Sequence, residues 1–203
     1  TNMNDQSLEF NFENEVVAPM YKNADFSVSE PTGGKNEISL SGSMKISREK
    51  EVTGQMEAEW LGAANPFLVL QQDTGKLAAQ VTGGLVSKEI DAVKIINTNP
   101  AKTEAALDLK KENPFREHLG YLVFDLPEVK TGFQSWRLSY LSSERDAPFM
   151  LPFTVSESYE WEIEIPDGYE FFNKKQAVNL KNKAGSVKIE ISPKGNKVSV
   201  KRE

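Results

Sequence analysis

The chain of 203 residues contains no cysteine. That single absence excludes disulfides, thiolate metal sites and a cysteine nucleophile together, while leaving the compartment open. Histidine is nearly as scarce. His118 is the sole imidazole, and nucleophilic catalysis usually takes its base from a histidine within hydrogen-bond reach. No apolar run approaches the roughly 20 residues that a membrane helix needs, so no transmembrane segment is expected. The opening residues, TNMNDQSLEF, lack the basic and apolar stretches of a signal peptide, which fits either a cytosolic protein or a mature form. Net positive charge is missing too. A formal charge of −6 argues against nucleic acid as a partner, because that binding depends on neutralising phosphates.

What remains is the composition of a folded protein. Hydrophobic residues at 38% and charged residues at 27% place the chain outside the disordered class. The length suits one large all-β domain or two small ones. Charge is unevenly distributed along it. Residues 1–30 carry six acidic residues against Lys22, whereas residues 174–203 carry eight lysines and Arg202 against Glu190 and Glu203. A basic tail of this kind suits an anionic partner, or a solvated pair of edge strands in which lysine opposes aggregation.

Alternation with a period of two dominates the sequence. Leu8, Phe10 and Phe12 alternate with Glu9 and Asn11. In NEISLSGSMKIS, Ile38, Leu40, Met44 and Ile46 share one face, with Gly42 marking a bulge or a close approach. Met56, Ala58 and Trp60 oppose Glu57 and Glu59. A short helix around Val86–Val93, or another pair of strands, fits the middle of the chain. AALDLKKENPF alternates as a strand does, although Thr103 would also suit a helix cap. LGYLVFDLP reads as a strand stopped by Pro127, and FQSWRLSYLS places Trp136, Leu138 and Tyr140 on one face. Tyr159, Trp161, Ile163 and Ile165 oppose Glu160, Glu162 and Glu164. Val187, Ile189 and Ile191 lead through SPKGN to Val198 and Val200, the clearest hairpin. The expected fold is all-β, an antiparallel β-sandwich with at most one short helix. It is expected as a single domain over residues 1–203, with a weak division near 97–104.

Few residues offer chemistry. His118 lies in NPFREHLGY with no GxSxG elbow, HExxH pair or phosphate-binding glycine loop elsewhere. It reads as a surface histidine. Glu160, Glu162 and Glu164 would project about 7 Å apart from one strand face, a spacing near that of glycosidase carboxylates. Those carboxylates, however, face each other across a cleft, and three in a row mark a solvent-facing sheet. The row also lacks the loop pattern of a calcium site. Exposed aromatic rings stack on sugars, so Trp60, Trp136 and Trp161 are the candidate glycan contacts. Each falls on the apolar face of its strand, where core packing competes. No catalytic, cofactor-binding or metal-ligating set emerges, and no enzyme is expected.

One stretch carries a resemblance. Arg145, Pro148, Phe149, Leu151, Pro152, Ser156, Glu157, Ile165, Pro166, Gly168 and Tyr169 stand within RDAPFMLPFTVSESYEWEIEIPDGY. The pattern resembles the C-terminal domain of unknown function of exported Bacteroidetes proteins, which follows a transglutaminase-like domain of cysteine-protease fold. The resemblance implies export to the periplasm or outer surface, and a catalytic Cys-His-Asp set in the neighbouring domain. No such residue carries over to a chain without cysteine. What it implies here is a non-catalytic accessory β domain. Its partner would be a protein domain or peptide, the transglutaminase-like module first, with a glycan as the alternative.

Overall fold

The computed structural model describes residues 16–17, 27–28, 35–72, 93–129, 132–135, 153–172 and 174–203. Two short strands, β1 (Val16–Val17) and β2 (Ser27–Val28), pair with each other. The main sheet begins with β3 (Glu37–Ile46) and β4 (Glu51–Leu61). A single helix, α1 (Phe67–Gln72), follows. Next come β5 (Val93–Thr98), β6 (Lys102–Glu112) and a small hairpin of β7 (Arg116–His118) and β8 (Tyr121–Val123). The chain then runs through β9 (Ser156–Glu164), β10 (Gln176–Lys181), β11 (Ser186–Lys194) and β12 (Lys197–Arg202).

Eight of these strands form one sheet in the order β10-β11-β12-β9-β3-β4-β6-β5. Every neighbouring pair is antiparallel except β3 and β9, which run parallel from Glu37 opposite Ser156 to Lys45 opposite Glu164. The fold is therefore all-β with one short helix, as expected, but the sheet is mixed rather than antiparallel throughout.

Alternation sorts the two faces. Ile38, Leu40, Met56, Trp60, Ala105, Leu107, Tyr159, Trp161 and Ile163 are buried on one side. Leu70 of α1, Val129 and the half-buried Phe115, Phe124, Leu126, Phe153, Val155 and Phe171 pack over them. The second layer of the expected sandwich, among the described residues, is this cover. Gly42 lets β3 and β4 approach closely. A Cβ there would run into the Gln55 carbonyl and the Met56 backbone, and the register passes through without a bulge.

Several expectations meet the structure differently. The polar 97–104 stretch joins two paired strands of the main sheet. It is the tight turn of the β5–β6 hairpin, closed by reciprocal backbone bonds between Asn99 and Lys102 of 2.9 and 3.2 Å. Asn65 grips that turn, donating to the carbonyls of Asn99 and Pro100 and accepting the Thr103 hydroxyl at 2.6 Å. The helix is α1, just after Pro66, where a proline's missing N–H costs nothing. Residues 102–112 are strand, not helix, and the strand expected over LGYLVFDLP pairs only at Tyr121–Val123. β11 runs through Pro193 to Lys194, leaving Gly195 and Asn196 as the turn. The expectations for Leu8–Phe12, most of Val86–Val93, Trp136–Tyr140, and Arg145, Pro148, Phe149, Leu151 and Pro152 lie outside the described residues.

Candidate interaction surface

The glutamate row of β9 faces solvent, and lysines answer it. β12 lies antiparallel to β9 and sets Lys201 opposite Glu160 and Lys197 opposite Glu164. Lys201 Nζ donates to Glu160 at 2.8 Å, and Lys197 reaches diagonally to Glu162 at 2.7 Å. Lys45, directly opposite on β3, sits 3.3 Å from Glu164. Hydrogen bonds to their glutamates hold the Lys197 and Lys201 ammonium groups above the usual lysine range. The ladder continues across the sheet, where Lys102 bridges Glu59 at 2.6 Å and Glu104 at 2.8 Å. Three carboxylates on one strand face, each held by a lysine, form a charged sheet surface. Among the described residues no group of three or more His, Asp or Glu side chains is arranged to hold a metal ion.

His118 is exposed in β7, opposite Tyr121 of β8, and its imidazole makes no hydrogen bond or ion pair among the described residues. Its neighbours are engaged. Glu117 accepts Lys50 Nζ at 2.7 Å and Arg116 donates to Asp125 at 2.8 Å. The Lys50 bond holds the Glu117 carboxyl below the usual range.

The tryptophans divide in the same plain way. Trp60 is 0% exposed and Trp161 3%, which leaves neither a face for a sugar and removes both from the glycan-contact set. The alternation that places them on the apolar side also seals them. Trp136 lies outside the described residues.

A buried polar junction was not foreseen. Glu157 occupies the core-side register of β9 and is 7% exposed. Its carboxylate accepts the Phe133 backbone N–H at 2.7 Å and the Tyr159 hydroxyl at 3.1 Å, with Arg202 Nη2 at 3.5 Å. Arg202 also donates to Glu128 at 2.9 Å and lies 4.2 Å over the Tyr159 ring. Burial first, then the Glu157 charge, pushes the Tyr159 hydroxyl far above the usual tyrosine range. Gly132, at φ +70, lets the chain in: a Cβ there would collide with the Glu157 carboxylate and come within 2.7 Å of Ile38 Cδ1. The cluster joins β9, β12 and the 3-10 turn Gly132–Ser135. Every polar group in it is spoken for, so its chemistry is fastening. The parity of Glu157 with Tyr159 and Trp161 was the available signal.

Exposed rings occur elsewhere. Tyr121 of β8 and Phe172 stack 4.5 Å apart at 46% and 72% exposure. Leu119 and Tyr169 are also exposed, in the β7–β8 turn and in the turn after β9. The second turn is the IPDGY stretch, in which Tyr169 N–H meets the Pro166 carbonyl at 3.3 Å.

Residues 121–203 match the sequence family of a domain of unknown function, DUF3858. No curated protein and no solved structure matches the chain. The DUF3858 segment supplies β8 to β12. Among the described residues, its four main-sheet strands, β9 to β12, join the sheet of β3 to β6 through the parallel β3–β9 pair.

Proposed function

We propose that this chain is a non-catalytic interaction module of an exported bacterial protein, working beside a transglutaminase-like module of cysteine-peptidase type. The exposed Tyr121–Phe172 pair carries the reading, since clustered apolar side chains left in solvent mark contact surfaces. The pairing of Glu160, Glu162 and Glu164 with Lys201, Lys197 and Lys45 supports it, because these carboxylates are engaged in ion pairs. The likeness of the Arg145–Tyr169 stretch to the domain that follows transglutaminase-like modules supports the choice of partner. Export rests on the same likeness.

Calorimetric titration with a transglutaminase-like domain from the same genome tests this. Saturable binding is expected, weakened at least tenfold by Tyr121→Ala combined with Phe172→Ala. Absence of binding, or turnover of a peptide or ester by the chain alone, would overturn it. A second reading, glycan binding, has one observation in its favour: aromatic rings stand exposed at Tyr121, Tyr169 and Phe172, where Trp60 and Trp161 do not. A glycan retained by the chain and lost with the same two substitutions would select that reading.

A further inference from the structure

β10 ends the sheet among the described residues, hydrogen-bonded to β11 on one side. All six of its residues are exposed. Residues directly opposite in an antiparallel pair share a face. Trp161 stands opposite Val200, Val200 opposite Ile191, and Ile189 and Val187 opposite Val178 and Leu180. The face that buries Trp161 therefore continues to the end of the sheet, through Ile191, Ile189 and Val187 to Val178 and Leu180 with Arg202 and Gln176 as polar members, but its cover does not. Exposure rises from 3% at Trp161 to 43% at Val187, 42% at Val178 and 63% at Leu180.

Charge gathers at the same strand. Lys188, Lys197 and Lys201 have glutamate partners. Lys174, Lys175, Lys181 and Lys183, which flank or end β10, form no ion pair among the described residues. Lysines alone would suit a guarded edge, yet a guarded edge has no use for exposed Val178 and Leu180. A second copy of the chain would bring the same four unpaired lysines against the first. An acidic strand would relieve both features at once.

We propose that β10 accepts an extended acidic segment of a partner protein as a further strand, by backbone pairing at a free sheet edge. The segment alternates apolar and carboxylate residues. Its apolar side chains cover Val178, Leu180 and Val187, and its carboxylates meet the lysines, of which Lys181 stands on the face opposite Leu180. This placement rests on the reading of the chain as an interaction module.

Fluorescence anisotropy with the full chain tests it, using a fluorescein-labelled synthetic peptide that alternates glutamate and valine. Saturable binding that weakens with salt is expected. Lys175→Glu with Lys181→Glu should weaken it at least tenfold and Leu180→Ser at least fivefold, with circular dichroism unchanged because all three positions are exposed. The β10 amides should gain hydrogen-exchange protection when peptide is added. The proposal is overturned by equal binding of a lysine–valine peptide, by unaltered binding of the variants, or by protection gained elsewhere. It is also overturned by self-association that hides β10, or by binding that begins only once residues 1–15 are removed. If the transglutaminase-like domain still binds in those cases, the interaction reading stands and only its placement at β10 fails. If neither ligand binds, both fail.

Discussion

Glu157 shows how one residue can matter more for assembly than for chemistry. A carboxylate taken out of water must have its lone pairs met, and here a backbone N–H, a tyrosine hydroxyl and a guanidinium meet them. Glu157→Ala removes the acceptor for all three, and should cost about 1–3 kcal/mol of unfolding free energy in urea titration, the range for leaving a buried donor unsatisfied, since Arg202 keeps Glu128 as its partner. Glu157→Gln keeps an acceptor for Phe133 and should cost clearly less. Equal losses would mean that packing, and not the carboxylate, holds the junction. Gly132→Ala should also destabilise, by about 1–3 kcal/mol, since it strains a left-handed backbone and displaces the same carboxylate.

At the scale of elements, alternation made β3, β4 and β9 legible, because each buries one face only, and the turn residues Gly195 and Asn196 between alternating runs marked the β11–β12 hairpin. It also put Trp60 and Trp161 on the core side. It was silent on β10, whose Ala177, Val178 and Leu180 are all exposed and whose remaining residues are polar, leaving little periodic contrast. Nor can a period of two name a strand's partner, so the parallel β3–β9 pair was invisible. The Tyr121–Phe172 contact was hidden for a similar reason: it joins positions far apart in sequence, neither in a regular amphipathic run.

The paired ladders also set a pH response. Hydrogen bonds from Lys102 and Lys50 hold Glu104 and Glu117 below the ordinary carboxylate range. A depressed carboxylate contributes stability that is present above its unfolded value, about 4.3, and lost as pH falls through the folded one. Lys102, Lys197 and Lys201 are raised, first by hydrogen bonds to Glu104, Glu162 and Glu160. Their contribution is complete below the unfolded value, about 10.4, and lost as pH rises through the folded one. Urea midpoints should therefore be flat between about pH 5 and 10 and decline gently on either side, since exposed pairs are individually weak. A step between pH 6 and 8 would contradict this.

On the scale of the molecule, the DUF3858 match stops inside the architecture. Strands within residues 121–203 provide one half of the main sheet and strands within residues 37–112 the other, and among the described residues the parallel β3–β9 pair is the ladder that joins them. That seam is buried under Ile38, Leu40, Tyr159 and Trp161, and it decides which strands remain as edges. With β9 committed to β3, the last strand on that side among the described residues is β10. Native-state hydrogen exchange across the seam tests this arrangement most directly. The account predicts that the amides of β3 and β9 open together, with the same free energy and the same denaturant dependence. Opening of β9 to β12 as an independent unit, while β3 to β6 stay protected, would contradict it.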